Sequence, residues 1–308
     1  MLTIVAYHYV RDLAASAFPK LAALDRAAFE RQLDHIAGAY SVVGPEAVYD
    51  AVTDGPPLPE NACLLTFDDG YRDHAETAAP ALARRGWLGL FFPAADAVTK
   101  RDLLEVNAIH FVAAASDDRA ALAGEVAALV EETREAGTPS PADLRDRWHR
   151  PGRWDDADTR FVKGVLQQAL PAGQRRTVID TLFHRHVSDD PQGFADALYL
   201  DREAISSMRD AGMAFGSHGA CHRRMTELDD KALDADLDAS LALLESCGIS
   251  TGEGWSLCYP HGAHNRRVAA AARRKGCAMA VTVEPRVADP GTDDPLALPR
   301  LDTNDLPQ

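Results

Sequence analysis

Two periods of apolar residues alternate along this chain, and together they predict an α/β fold. Short apolar runs at residues 2–9, 40–44, 62–68, 88–93, 213–217, 255–259 and 277–283 read as strands. Ala62-Cys63-Leu64-Leu65 contains no polar residue, as expected of a strand covered on both faces. Between the strands, helical spacing recurs near 26–39, 45–53, 73–85, 202–211, 229–247 and 265–275. The clearest case is 229–247, where Leu233, Leu237, Leu241 and Leu244 recur on one face and Gly248 stands where a helix would end. Strand and helix in alternation imply a mainly parallel sheet.

Residues 100–200 break that rhythm. They read as polar helices near 118–136, 158–169 and 173–185, separated by a Pro-rich, Trp-bearing stretch at 138–155. The expected organisation is a barrel-forming domain from 1–99 and 201–308, with 100–200 a helical insertion within it. The insertion carries His110, His149, His184 and His186, and His184-x-His186 near a helix end reads as surface. The run Asn107-Ala108-Ile109-His110-Phe111 follows the strand at 88–93 and is expected nearer the substrate.

Composition then removes several functions. With 308 residues and 46% hydrophobic content the chain can bury a sizeable core. Its 32 basic against 47 acidic residues give a formal charge of −15, which disfavours nucleic acid or an anionic membrane as partner. No 18-residue apolar span is present, and Met1 leads into an expected core strand with no export signal before it. Cys63, Cys221, Cys247, Cys258 and Cys277 have no paired spacing and read as reduced thiols. The expected location is cytoplasmic.

Three short segments carry chemistry. Leu64-Leu65-Thr66-Phe67-Asp68-Asp69-Gly70 puts two adjacent carboxylates at the end of an apolar strand, where parallel α/β folds place their sites. One carboxylate can bind a metal while the other stays free to take a proton. In Ser217-His218-Gly219-Ala220-Cys221-His222, two histidines four apart have a common zinc-ligand spacing. With one carboxylate they leave a fourth position open to water, as in catalytic rather than structural sites. The turn in Cys258-Tyr259-Pro260-His261-Gly262 can aim a backbone N–H at a developing oxyanion.

In this order and spacing, the three segments resemble the motifs of the polysaccharide deacetylase superfamily, which includes chitin and peptidoglycan deacetylases. The resemblance implies a distorted (β/α)7 barrel. It also implies that Asp68 is the general base, that Asp69, His218 and His222 hold Zn2+ or a similar ion such as Co2+ or Ni2+, and that the main chain of His261 steadies the oxyanion. Two departures matter. Cys258 occupies the place of the superfamily's base-orienting arginine, and the carboxyl-terminal run Leu298-Pro299-Arg300-Leu301-Asp302 lacks the usual acid histidine. The opening Tyr7-His8-Tyr9-Val10, however, is similar to the start of the superfamily's circularly permuted branch. That makes His8 the candidate acid and Arg300 the candidate replacement arginine. Cys221, just before His222, should point away from the metal.

The implied reaction is metal-dependent removal of an N-acetyl group from a sugar or glycoconjugate. Alternatives are an O-acetyl esterase acting on carbohydrate, a noncatalytic sugar-binding relative, and a metal-independent amidohydrolase of the same fold. Expected substrates are a small N-acetylated sugar, a sugar nucleotide or a lipid-linked glycan. An insertion rooted on the strand-end rim is expected to cap the site against long polymers. The sequence carries no signal for oligomeric state.

Overall fold

Each apolar run that becomes a strand does so because its residues alternate between two buried environments. In the computed structural model, which describes residues 1–53, 55–152, 155–252 and 254–307, seven strands build the frame. They are β1 (Leu2–Tyr7), β2 (Ala62–Asp69), β3 (Leu90–Pro93), β4 (Ala214–Phe215), β5 (Trp255–Cys258), β6 (Cys277–Val281) and β7 (Leu301–Asp302). Parallel pairing runs β7-β1-β2-β3-β4, and β5 pairs parallel with β6. Two single parallel bridges join these sheets, Ser217 to Leu257 after β4 and Val281 to Leu298 before β7. The ring therefore closes as a seven-stave α/β barrel.

The period-two alternation separates its layers. Leu2, Ile4, Leu64, Leu90, Phe92, Cys258, Met279, Val281 and Leu298 share one buried cluster. Val5, Tyr7, Cys63, Leu65, Phe67, Phe91 and Phe215 share another with Phe29, Leu33 and Ile36 of the helix Arg26–Ala39. Asp68 continues the parity of Leu64 and Thr66, and Arg300 that of Leu298. Aspartates start the helices: Asp25, Asp201 and Asp229 each accept a first-turn amide hydrogen bond.

Two expectations change. The run at 40–44 supplies only Ser41–Val42, which pairs with Ala62 and Cys63 at the start of β2 and lies off the ring. The seventh stave is instead β7, absent from the sequence reading. The stretch 73–85 is also not one helix, but a π turn at His74–Ala78 followed by α-helix Ala79–Ala83.

The chain divides into two compact units, one of residues 1–12, 23–102 and 195–308, the other of 13–22 and 103–194. The second unit is helical, with Glu105–Ala115, Arg119–Glu132, Pro141–Trp148, Ala157–Gly164 and Ala172–His186. Phe18, Phe111, Phe183 and Phe194 pack edge to face within it. His149 and His186 are paired with Asp158 and Glu125 at 2.8 and 2.6 Å. His110 lies in the first of these helices and lines a cavity of about 250 Å³ with Lys20, Arg119, Asp155 and Lys163. Among the described residues, no helix is long and apolar enough to cross a membrane.

Candidate active site

Asp68 and Asp69 end β2, and the barrel brings the other selected residues to them. The register Thr66–Leu90 through Asp69–Pro93 sets both carboxylates beside the end of β3. At Asp69 the backbone turns to φ 71°, and Gly70 follows at φ 74°. That turn sends two consecutive side chains into different surroundings. Gly70 is required there, because a Cβ would lie 2.7 Å from Pro93 Cβ.

Asp69, His218 and His222 converge. The Nε2 atoms of His218 and His222 lie 3.3 and 3.2 Å from Asp69 Oδ1, and the imidazole centroids are 4.7 Å apart. All three residues are at least nine-tenths buried. His218 Nδ1–H donates to the Cys258 carbonyl at 2.8 Å, which orients the ring and directs Nε2 at Asp69. Tyr71 Oη–H donates to Asp69 Oδ2. Asp69 Oδ1, by contrast, is buried without a hydrogen-bond donor. Burial pushes the Asp69 carboxyl up, yet the His222 and His218 imidazoles outweigh it and hold the group well below its usual range. Burial lowers His222 below its ordinary value despite Asp69 beside it. A buried, donor-free carboxylate oxygen with two imidazole nitrogens converging on it fits a divalent cation.

Asp68, His218 and Cys258 form a second cluster with ligand atoms within 4.8 Å of one another. Arg300 already supplies the positive charge there, so a cation is disfavoured. Its Nη1–H and Nη2–H donate to Asp68 Oδ1 and Oδ2 at 2.9 and 2.8 Å, a bidentate fork inside the barrel. Burial raises the Asp68 carboxyl, but Arg300 outweighs it and keeps Asp68 ionised below its ordinary value. Arg300 is 2% exposed and Asp68 also 2%, which makes this a desolvated, fully paired ion pair.

His8 stands at the end of β1, adjacent to β2, with Nε2 3.8 Å from Asp68 Oδ2 and its side chain 45% exposed. That distance lies outside hydrogen-bond range. Its carbonyl accepts from His74 Nε2–H at 2.9 Å, which ties the strand end to a fully buried side chain. His261 adopts φ 58° in the turn after β5, and its ring lies 4.7 Å from that of His222. Gly262 N–H and Ala263 N–H bond back to Tyr259 and Pro260 at 2.8 and 3.1 Å, leaving the His261 amide outside that pair of bonds. Burial, with His222 and Arg224 beside it, pushes the His261 imidazole down to about 2, so it remains neutral.

The selected residues Asp68, Asp69, His8, His218, His222, His261 and Arg300 thus gather at one barrel end. Cys221 turns away, its amide and thiol both bonded to Asp236 Oδ1 at 3.0 Å. In the sequence Cys258 stands out as a reduced thiol in the place of a missing arginine, and no motif singles out Tyr71, Thr66 or His74. Tyr71 had a local signal, two positions after Asp69. Thr66, with its hydroxyl 3.0 Å from Arg300 Nη1, had only strand parity.

The polysaccharide deacetylase family model matches residues 154–280, a segment that includes both histidines and the Tyr259-Pro260-His261-Gly262 turn. No curated protein matches the chain. Among solved structures, the deacetylase PplD of Streptococcus pyogenes, in complex with acetate, is 15% identical with a TM-score of 0.57, over 98% of this chain and 91% of that one. IcaB from Ammonifex degensii is 18% identical with a TM-score of 0.57 over the same shares. A de-N-acetylase from Aggregatibacter actinomycetemcomitans is 14% identical with a TM-score of 0.53, over 97% and 94% of the two chains. The resemblance to polysaccharide deacetylases is borne out, and with it the barrel fold. The structural likenesses show the fold, and the family match over residues 154–280 supports carbohydrate deacetylation as the broad activity.

Proposed function

We propose that this chain is a divalent-metal-dependent carbohydrate de-N-acetylase of the permuted branch. The observation that carries the reading is the buried, donor-free Asp69 Oδ1 between the His218 and His222 Nε2 atoms, next to an Asp68 carboxylate forked by Arg300. Asp69, His218 and His222 would hold Zn2+ or another divalent transition ion such as Co2+ or Ni2+. When bound, that ion would supply Lewis-acid polarisation of the acetyl carbonyl and lower the pKa of a water.

The protein's own groups divide the remaining work. Asp68, kept ionised by Arg300, accepts the proton of the attacking water. The His261 backbone N–H donates to the oxygen that becomes anionic. His8 delivers a proton to the leaving amine nitrogen, which is a poor leaving group until protonated. The half-exposed position of His8 lets it exchange protons with solvent between turnovers. The substrate in this reading is a small N-acetylated sugar, a sugar nucleotide or a lipid-linked glycan. A reducing, cytoplasmic setting belongs to the same reading and is consistent with the five unpaired cysteines.

The test is acetate release from N-acetylated sugars by zinc-loaded protein, with and without a chelator. Chelator-insensitive release, or none from any N-acetyl sugar, would overturn it. O-deacetylation is the competing reading, favoured by the 3.8 Å gap that leaves His8 unclamped. His8→Ala should slow an N-acetyl substrate by about 10²- to 10⁴-fold and leave nitrophenyl acetate, whose leaving group needs no proton, little changed. Equal losses on both would remove His8 from the acid role.

A further inference from the structure

Arg300 carries five N–H donors into the barrel, and a buried guanidinium is stable there only if each finds an acceptor. Four are oxygens. Nε–H donates to the Thr282 carbonyl at 2.9 Å, Nη1–H to Thr66 Oγ1 at 3.0 Å and Asp68 Oδ1 at 2.9 Å, and Nη2–H to Asp68 Oδ2 at 2.8 Å. The fifth, on Nη2, points to Cys258 Sγ at 3.2 Å. Cys258 lies 3.4 Å from Asp68 Oδ2, with its S–H directed to that oxygen. The thiol therefore accepts from the arginine and donates to the carboxylate, closing a three-membered network of Arg300, Asp68 and Cys258.

We propose that Cys258 is a positioning residue for Asp68, acting through both hydrogen bonds, and that its small size is what admits Arg300 from β7 to the carboxylate. The proposal rests on the reading of Asp68 as the base. Cys258 ends β5, Arg300 immediately precedes β7 and Asp68 lies on β2, so the network joins three staves that pair with one another nowhere else. The Cys258 carbonyl also receives His218 Nδ1–H, so one residue orients the base with its side chain and a metal-site imidazole with its backbone. Replacing the side chain leaves that carbonyl in place, which lets the two contributions be separated.

The experiment compares Cys258→Ser, Cys258→Ala and Asp68→Asn in zinc-loaded enzyme, measuring kcat, KM and bound zinc. Serine keeps an acceptor and a donor, and should hold kcat within about threefold. Alanine leaves one Arg300 N–H without a partner and frees the carboxylate to shift. It should lower kcat by about 10- to 100-fold with KM and zinc content near wild type, the range expected when a reacting group is misplaced by a fraction of its working distance. Cys258→Val, which fills the space without a polar atom, gives the same readout if alanine does not fold. Alanine and valine at wild-type kcat, a loss confined to KM, or serine failing as badly as alanine would each overturn the positioning role. Asp68→Asn retaining full activity would instead overturn the reading of the base beneath it.

Discussion

Asp68 and Asp69 are chain neighbours with identical side chains and opposite surroundings. Asp68 is neutralised by Arg300, while Asp69 has one oxygen on Tyr71 and the other turned to two imidazole nitrogens. The amide of Asp68→Asn would still occupy its place, so that variant should keep zinc and lose at least about 10²-fold in kcat. Asp69→Asn should lose zinc first. Zinc titration followed by single-turnover rates distinguishes the two, and the reverse pattern would exchange their roles. His74 offers a pH test of the support behind His8. Burial lowers its imidazole from 6.5 to about 4, so as pH falls the unfolded chain takes up the proton first. The stability this confers is present above about pH 6.5 and lost as pH falls towards 4, up to about 3 kcal/mol. Melting curves of His74→Phe should therefore depend less on pH than wild type over that window; parallel slopes would exclude the desolvated imidazole as the cause.

Between elements, the ring is thin at its two single-bridge seams, one of which joins Ser217 after β4 to Leu257 of β5. Gly216 lies beside that seam, and a Cβ there would sit 2.6 Å from the Ser256 carbonyl oxygen and 2.6 Å from Phe92 Cε1. Backbone cannot yield as a side chain can. Gly216→Ala should cost about 1–3 kcal/mol and reduce zinc affinity, because His218 is two residues further on. A melting temperature and zinc affinity both at wild-type values would show that the seam opens freely. The sequence made six staves legible through apolar runs with the right period. It misassigned 40–44, which has the composition of a strand but pairs only beside the start of β2. It missed β7 because Pro299 lacks an amide N–H and Arg300 looks like a surface residue, whereas its charge is balanced by Asp68, distant in sequence. The acidic and histidine motifs were legible because each is local. The Cys258 and Thr66 contacts were not, since they depend on strand register.

At the scale of the molecule, the metal site reaches across β3 and links its two neighbouring staves at one barrel end. Asp69 ends β2, while His218 and His222 belong to the loop after β4, next to the single-bridge seam. Without a cation, two imidazoles and a donor-free carboxylate oxygen share a buried space; a bound ion replaces that arrangement with direct ligation across it. Binding to the folded chain alone stabilises it by RT ln(1 + [L]/Kd), about 2.7 kcal/mol at a hundredfold excess over Kd. For a chain of 308 residues this predicts a rise in melting temperature of a few degrees on adding zinc. Asp68→Asn should show the same rise, because Arg300 and not the ion neutralises that carboxylate. Asp69→Asn and His218→Ala should show little or none. Wild type and Asp69→Asn rising equally with zinc would place the ion elsewhere in the molecule and remove the basis for assigning these three residues as its ligands.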